Sequence, residues 1–195
     1  MNNQQKVYQI TLPQVSIENA DNRGKALLEE VMKKMGMIPN MYANMANLSS
    51  MLETYIIGYN LFRAEGGFNS AEQEVVFLTI SRENECEYCI AAHSVVADMM
   101  SKVPTEVTNA IRDNENIPDE KLKALSLFTR VMISKRGKPS FDDVESFLSA
   151  GYTEKNILAI ILAIAVKTIS NYSNHIFHTK VDDMFKSREW LAPEA

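Results

Sequence analysis

Cysteine is nearly absent from this chain of 195 residues: there are two, Cys86 and Cys89. Two cysteines cannot staple a secreted disulfide scaffold, and their close spacing points to chemistry instead. Glycine (7) and proline (6) are also scarce. Both normally punctuate strands and turns, so their scarcity favours a helix-rich fold. An excess of positive charge is missing: Lys and Arg total 20 against 25 Asp and Glu, a net charge of -5. That balance argues against a nucleic-acid partner and against a polybasic membrane anchor. Long apolar runs are lacking as well. The longest, Ile157 to Val166, has ten residues, where a bilayer span needs about 20. The polar, Gln-rich stretch from Met1 to Ile10 has neither the basic start nor the apolar run of a secretory signal, so a cytoplasmic location is the default expectation. What remains is ordinary globular material, 46% hydrophobic and 23% charged. A chain of this length can bury roughly 70% of its unfolded surface, enough for one domain over residues 1–195, with residues 1–20 read as an extended N-terminal arm.

Apolar residues recur at helical spacing almost throughout. Leu27, Leu28, Val31, Met32 and Met35 predict a helix from Asn22 to Met35, capped by Gly36. Met41 to Tyr59 reads as two helices broken near Asn47 to Ser50. Ser70 with Gln73 three residues later predicts a capping box for a helix over Ala71–Arg82. The next helix starts near Cys86 and runs to about Met100. Pro104 and Pro118 each open a further helix, and Asp113 to Glu120 reads as a solvated face. Ser140 caps a short helix, and Thr153 caps a long one that runs to about His178. The first half of that last helix is apolar all round, which places it at a bundle centre or in a subunit interface. The 11 methionines read as fillers of core gaps and interfaces. No repeat, low-complexity tract or linker interrupts the pattern. The expected fold class is an all-α, single-domain helical bundle.

On one helix, at about 100° per residue, Cys86, Cys89 and His93 fall within roughly 60° of arc. Cys86 sits at the expected helix N-terminus, where the dipole favours a thiolate. Glu74 lies among Val75, Val76, Phe77, Leu78 and Ile80, so it is expected to be at least partly buried and paired, with His93 or a thiol as its partner. Burial would raise its pKa and suit it to act as a base or relay. A dithiol, a His and a carboxylate form a complete set for thiol redox chemistry. The residues alone leave two other readings open. One is a structural cysteine pair. The other is zinc, which Cys86, Cys89, His93 and Glu74 could ligate, although structural zinc sites usually draw on two separated pairs. Haem attachment needs His directly after the second Cys, and Ile90 stands there. The expectation is therefore no metal and no cofactor.

The segment from Glu74 to Ser94, EVVFLTISRENECEYCIAAHS, resembles the core motif of the AhpD-like branch of the carboxymuconolactone decarboxylase family: Glu, eleven residues, Cys-x-x-Cys, three residues, His. Asn84-x-Cys86-x-Tyr88-Cys89 followed by Ala92-His93-Ser94 is similar to the subgroup of peroxidase-related enzymes. More weakly, Gly36 to Tyr42 (GMIPNMY) and Asn171 to His175 (NYSNH) resemble the family's Gly-x-x-Pro-Asn segment and C-terminal helix. The resemblance implies an AhpD-like helical bundle that assembles as a homo-oligomer, a trimer or hexamer. It implies Cys89 as the thiol that attacks a hydroperoxide, His93 and Glu74 as its proton relay, and Cys86 as the more exposed partner that meets an external dithiol or thioredoxin-like reductant. Tyr88 stands where AhpD proteins proper carry a His. Tyr88 and His175 are expected near the substrate, Tyr88 chiefly by packing beside the thiols. The implied activity is a cysteine-dependent alkylhydroperoxidase or disulfide reductase in antioxidant defence. Lactone decarboxylation on the same fold and a non-catalytic redox sensor are the rivals.

Overall fold

The computed structural model describes residues 7–193; the first six residues of the expected arm lie outside them. Among the described residues there are helices and no strands. We number them α1 (Asn22–Met35), α2 (Asn40–Met45), α3 (Ser49–Glu65), α4 (Ser70–Glu83), α5 (Glu87–Met99), α6 (Thr105–Asp113), α7 (Glu120–Ser134), α8 (Phe141–Ser149) and α9 (Glu154–Phe177). Short 3-10 turns follow α2 (Ala46–Leu48) and α9 (Asp183–Arg188). The break anticipated near Asn47 is the first of these turns.

Local signals set the helix ends. Gly36 closes α1 in the left-handed region at φ 73°, as a C-cap glycine does. Ser140 and Thr153 make capping boxes with Asp143 and Asn156. The expected box at Ser70 and Gln73 is displaced by one residue. Asn69 takes the extended cap conformation and pairs with Glu72, while Gln73 turns inward to donate to the Arg63 and Phe68 carbonyls. Asp119, rather than Pro118, caps α7.

The central element is α4, every residue of which from Glu72 to Ser81 is buried. It packs against α5, α6, α7 and α9. Helix α9 is the one expected at the bundle centre or in a subunit interface. By length and composition it could cross a membrane, yet half of its most apolar window is buried inside the protein. It lies along α2 and α3 and leaves Leu158, Ile161 and Tyr172 outward.

Two apolar cores result. One surrounds α4, where Phe128, Phe147 and Tyr152 stack at 4.2 and 4.7 Å. The other joins α1, α2 and α3 to the start of α5 and contains Leu28, Met45, Leu52, Tyr55, Cys86 and Cys89. The dithiol is thus part of a hydrophobic core. The chain ends are tied over this region. Ile10 N–H donates to the Ile176 carbonyl. A C-terminal strap crosses α5, with Arg188 paired to Asp98, Trp190 over Arg82, and Ala192 N–H on Glu87.

Candidate active site

The link between α4 and α5 places the thiols. Glu85 adopts a left-handed conformation at φ 55°, which reverses the chain, and Cys86 N–H then donates to the Ser81 carbonyl at 2.9 Å. Asn84 donates to Asn171 Oδ1 at 2.9 Å and pins the link to α9. Cys86 is the N-cap of α5. Its carbonyl accepts from Ile90 N–H, and Cys89 follows in the first turn. Both are free thiols.

The structure brings all four motif residues together. His93 Nδ1 lies 2.8 Å from Glu74 Oε2. Because a carboxylate only accepts, Nδ1 carries the hydrogen and Nε2 is left with its lone pair. The other oxygen of Glu74 is ion-paired with Arg63. Arg63 is held in turn by Tyr59 Oη at 2.6 Å and Gln73 Oε1 at 3.0 Å. Phe77 stacks on Tyr59, and the His93 ring packs against it at 4.9 Å.

Helix α9 supplies contacts that the motif does not announce. Asn174 Nδ2 donates to Cys89 Sγ at 3.3 Å and reaches Cys86 Sγ at 3.7 Å. Ser170 Oγ lies 3.9 Å from Cys89 Sγ. Lys167 is buried on the same face. Asn174 falls in the NYSNH segment that the sequence singles out, whereas nothing in Ser170 as a single residue marks it. The visible signal is a polar set at Lys167, Ser170 and Asn174, spaced three and four apart on one face of α9.

Three expectations are corrected, two of them electrostatic. First, the dipole at the start of α5 does not make Cys86 the thiolate. Burial pushes the Cys86 thiol well up, and its hydrogen bond to Cys89 and the charge there add to this. Cys89 is the thiol of the pair that ionises more readily. Burial opposes that, but the hydrogen bond from Cys86 and the charge of Lys167 outweigh it and hold Cys89 well below the ordinary thiol range. Second, Cys86 is no more exposed than Cys89, at 0% against 2%. Third, the Glu74 carboxyl is lowered, not raised. Burial pushes it up, but His93 and then Arg63 more than offset this. His93 is itself lowered, by burial and then by Lys167, so it stands neutral as an acceptor.

Cys86 forms the floor of a cleft of about 540 Å³ bordered by Val7, Asn84, Glu87, Tyr88, Asn174 and His175. His175 stands exposed on this rim beside Tyr172. The Tyr88 ring packs on Phe185, and its hydroxyl donates to Asp182 at 2.5 Å. Among the described residues, no three His, Cys, Asp or Glu side chains form a metal-binding group.

The depressed Cys89 pKa has a signed consequence. An ordinary thiol, with a pKa of about 8.5, loses thiolate as pH falls below that value. Cys89 keeps its charge until pH falls through its lower folded value. The stabilisation from that charge is therefore present above the unfolded pKa and lost only as pH falls through the folded one. In a Cys86→Ser chain, alkylation of Cys89 by iodoacetamide is expected to slow less as pH falls from about 8 to about 7 than that of an ordinary thiol, which slows several-fold. A rate that falls with pH like that of a free thiol would contradict the assignment.

No protein-family model matches the sequence, and no curated protein matches it. Solved structures do. An uncharacterized peroxidase-related protein from Ralstonia eutropha JMP134, with an alkylhydroperoxidase AhpD core, superposes with a TM-score of 0.78 at 21% identity, over 89% of this chain and 93% of its own. A peroxidase-related protein from Silicibacter sp. TM1040 gives 0.75 at 19% identity, over 93% and 95%. The debrominase Bmp8, as a cysteine-to-alanine variant in complex with 2,3,4-tribromopyrrole, gives 0.73 at 12% identity, over 92% and 96%. This chain therefore has the AhpD helical fold, the fold that its Glu–Cys-x-x-Cys–His resemblance implied.

Proposed function

We propose that the protein is a dithiol hydroperoxidase whose reacting sulfur is Cys89. The observation that carries this reading is the arrangement around that sulfur. It accepts a hydrogen bond from Asn174, has a protonated Cys86 as neighbour, and shares α5 with a neutral His93 that is fixed by Glu74.

The chemistry balances with one proton. Cys89 thiolate attacks the terminal oxygen of R–O–O–H. The S–O bond forms, the O–O bond breaks, and alkoxide departs. Sulfur is oxidised to sulfenic acid and the peroxide is reduced. The alkoxide takes one proton from solvent, carried by Nε2 of His93. Cys86 then attacks the sulfenic sulfur. Its thiol proton leaves with the hydroxyl as water, and the Cys86–Cys89 disulfide forms. An external dithiol reduces the disulfide by exchange, restores one thiolate and one thiol, and returns the proton. Reductant would approach through the cleft above Cys86.

The test is peroxide-dependent oxidation of several dithiol donors, with cumene hydroperoxide and hydrogen peroxide as substrates. Multiple turnovers with at least one donor are expected. Disulfide formation without turnover would favour a redox sensor. Bromide release from tribromopyrrole, without peroxide turnover, would favour the chemistry named for the debrominase neighbour.

A further inference from the structure

Lys167 takes no part in the steps above, yet its position is unusual. It is fully buried, and among the described residues its Nζ has no hydrogen-bond partner. It lies over the face of Phe77, 5.6 Å from the ring centroid, and its charge acts on Cys89. Phe77 is the ring that also packs on His93 and lies under Arg63. An ammonium taken out of water without an anion is strongly unfavourable. The buried carboxylates nearby are engaged: Glu74 with Arg63 and His93, and Asp182 with Tyr88 and the Asn40 N–H. Among the described residues, the group left to balance it on this face of the core is the Cys89 sulfur. Lys167, Ser170 and Asn174 lie on one face of α9, and two of the three reach Cys89.

We propose that Lys167 is the counter-charge of the Cys89 thiolate, a positioning residue that stabilises the reduced dithiol and makes the Cys86–Cys89 disulfide a strong oxidant. Oxidation removes the negative charge and leaves the ammonium behind, so the reduced state is favoured. A stabilised thiolate is what makes a disulfide oxidising. The other groups facing Cys89 do not supply this charge. Cys86, Tyr88 and His93 come from α5 and its cap, Tyr42 from α2 and Tyr55 from α3. The tyrosines and Cys86 are held protonated by burial, and His93 is neutral. Arg63 stands behind His93, already paired to Glu74.

This deepens the proposed function by resting on Cys89 as the reacting thiol, but its test needs no turnover. In a Cys86→Ser chain, the ultraviolet absorbance of the thiolate is followed against pH. Lys167→Met keeps the stem and removes the charge, and is expected to move the Cys89 midpoint up by at least about one pH unit, a roughly tenfold fall in thiolate below the midpoint. Lys167→Arg keeps the charge and should retain a lowered midpoint. Lys167→Gln serves as a second neutral variant should the Met form not fold. With Cys86 restored, the neutral variants should shift the equilibrium with glutathione at least about tenfold toward disulfide. A folded neutral variant with an unmoved midpoint and an unmoved equilibrium overturns the inference. A chain that turns over no peroxide but shows the Lys167-dependent titration overturns the peroxidase reading and leaves this one standing.

Discussion

Cys89→Ser is expected to lower peroxide-dependent dithiol oxidation by at least about a thousandfold, because it removes the sulfur that the proposed reaction uses to attack the peroxide. Cys86→Ser should differ in kind. Its Cys89 still meets peroxide, so one equivalent is consumed and a sulfenic acid accumulates, but no disulfide forms and turnover stops. Rapid quench with a sulfenic-acid trap, followed by mass measurement, separates the two outcomes. The asymmetry follows from the protonation states. Burial and the neighbouring charge push the Cys86 thiol well up, whereas Cys89 is held well below the ordinary thiol range. Equal loss of the first equivalent in both variants would show that the roles are shared or reversed.

Glu74→Ala is expected to cost about 3 kcal/mol of stability, since breaking one side of a buried ion pair leaves the other uncompensated. For a chain of this size that is a fall in Tm of roughly 10 °C. Glu74 is completely buried, and its two oxygens are divided between Arg63 and His93. Arg63 keeps Tyr59 and Gln73 as partners, and its side chain is 21% exposed, which places the loss at the lower end of the range for such pairs. Glu74→Gln keeps the shape and an acceptor, and should cost less. Thermal unfolding followed by circular dichroism measures both. An unchanged Tm in Glu74→Ala would mean that the carboxylate contributes little to the fold. Glu74→Gln should still slow the reaction, because an amide holds the His93 ring less firmly in the tautomer with Nδ1–H.

Much of this was legible in the sequence, and the parts that were not share a cause. Helix spans follow from apolar spacing and short-range caps, and Gly36, Ser140 and Thr153 act where their local chemistry places them. The cap at Asn69 was missed by one residue because Asn69–Glu72 and Ser70–Gln73 are both acceptable boxes. Tertiary packing decided between them by drawing Gln73 to the Arg63 and Phe68 carbonyls. The Glu74–His93 pair follows from burial and from the need for a partner. Which cysteine ionises more readily does not, because a local rule about helix ends points to Cys86, while the hydrogen bond from Cys86 to Cys89 and the charge of Lys167, some eighty residues away in sequence on α9, decide it. Arg63 was equally hidden. A lone arginine near the end of an amphipathic helix reads as a solvated residue until α4 is laid against it.

The strap that crosses α5 has a practical consequence. The chain contains a single tryptophan, and it lies in that strap, half-buried with its ring 5.0 Å from the Arg82 guanidinium. Intrinsic tryptophan fluorescence therefore reports on a tether near the dithiol rather than on the α4 core. If emission changes at a lower denaturant concentration than helical circular dichroism, the reading is release of the tether, not a populated folding intermediate. Residue 190 is thus a built-in optical gauge of whether the segment beside the thiols is seated.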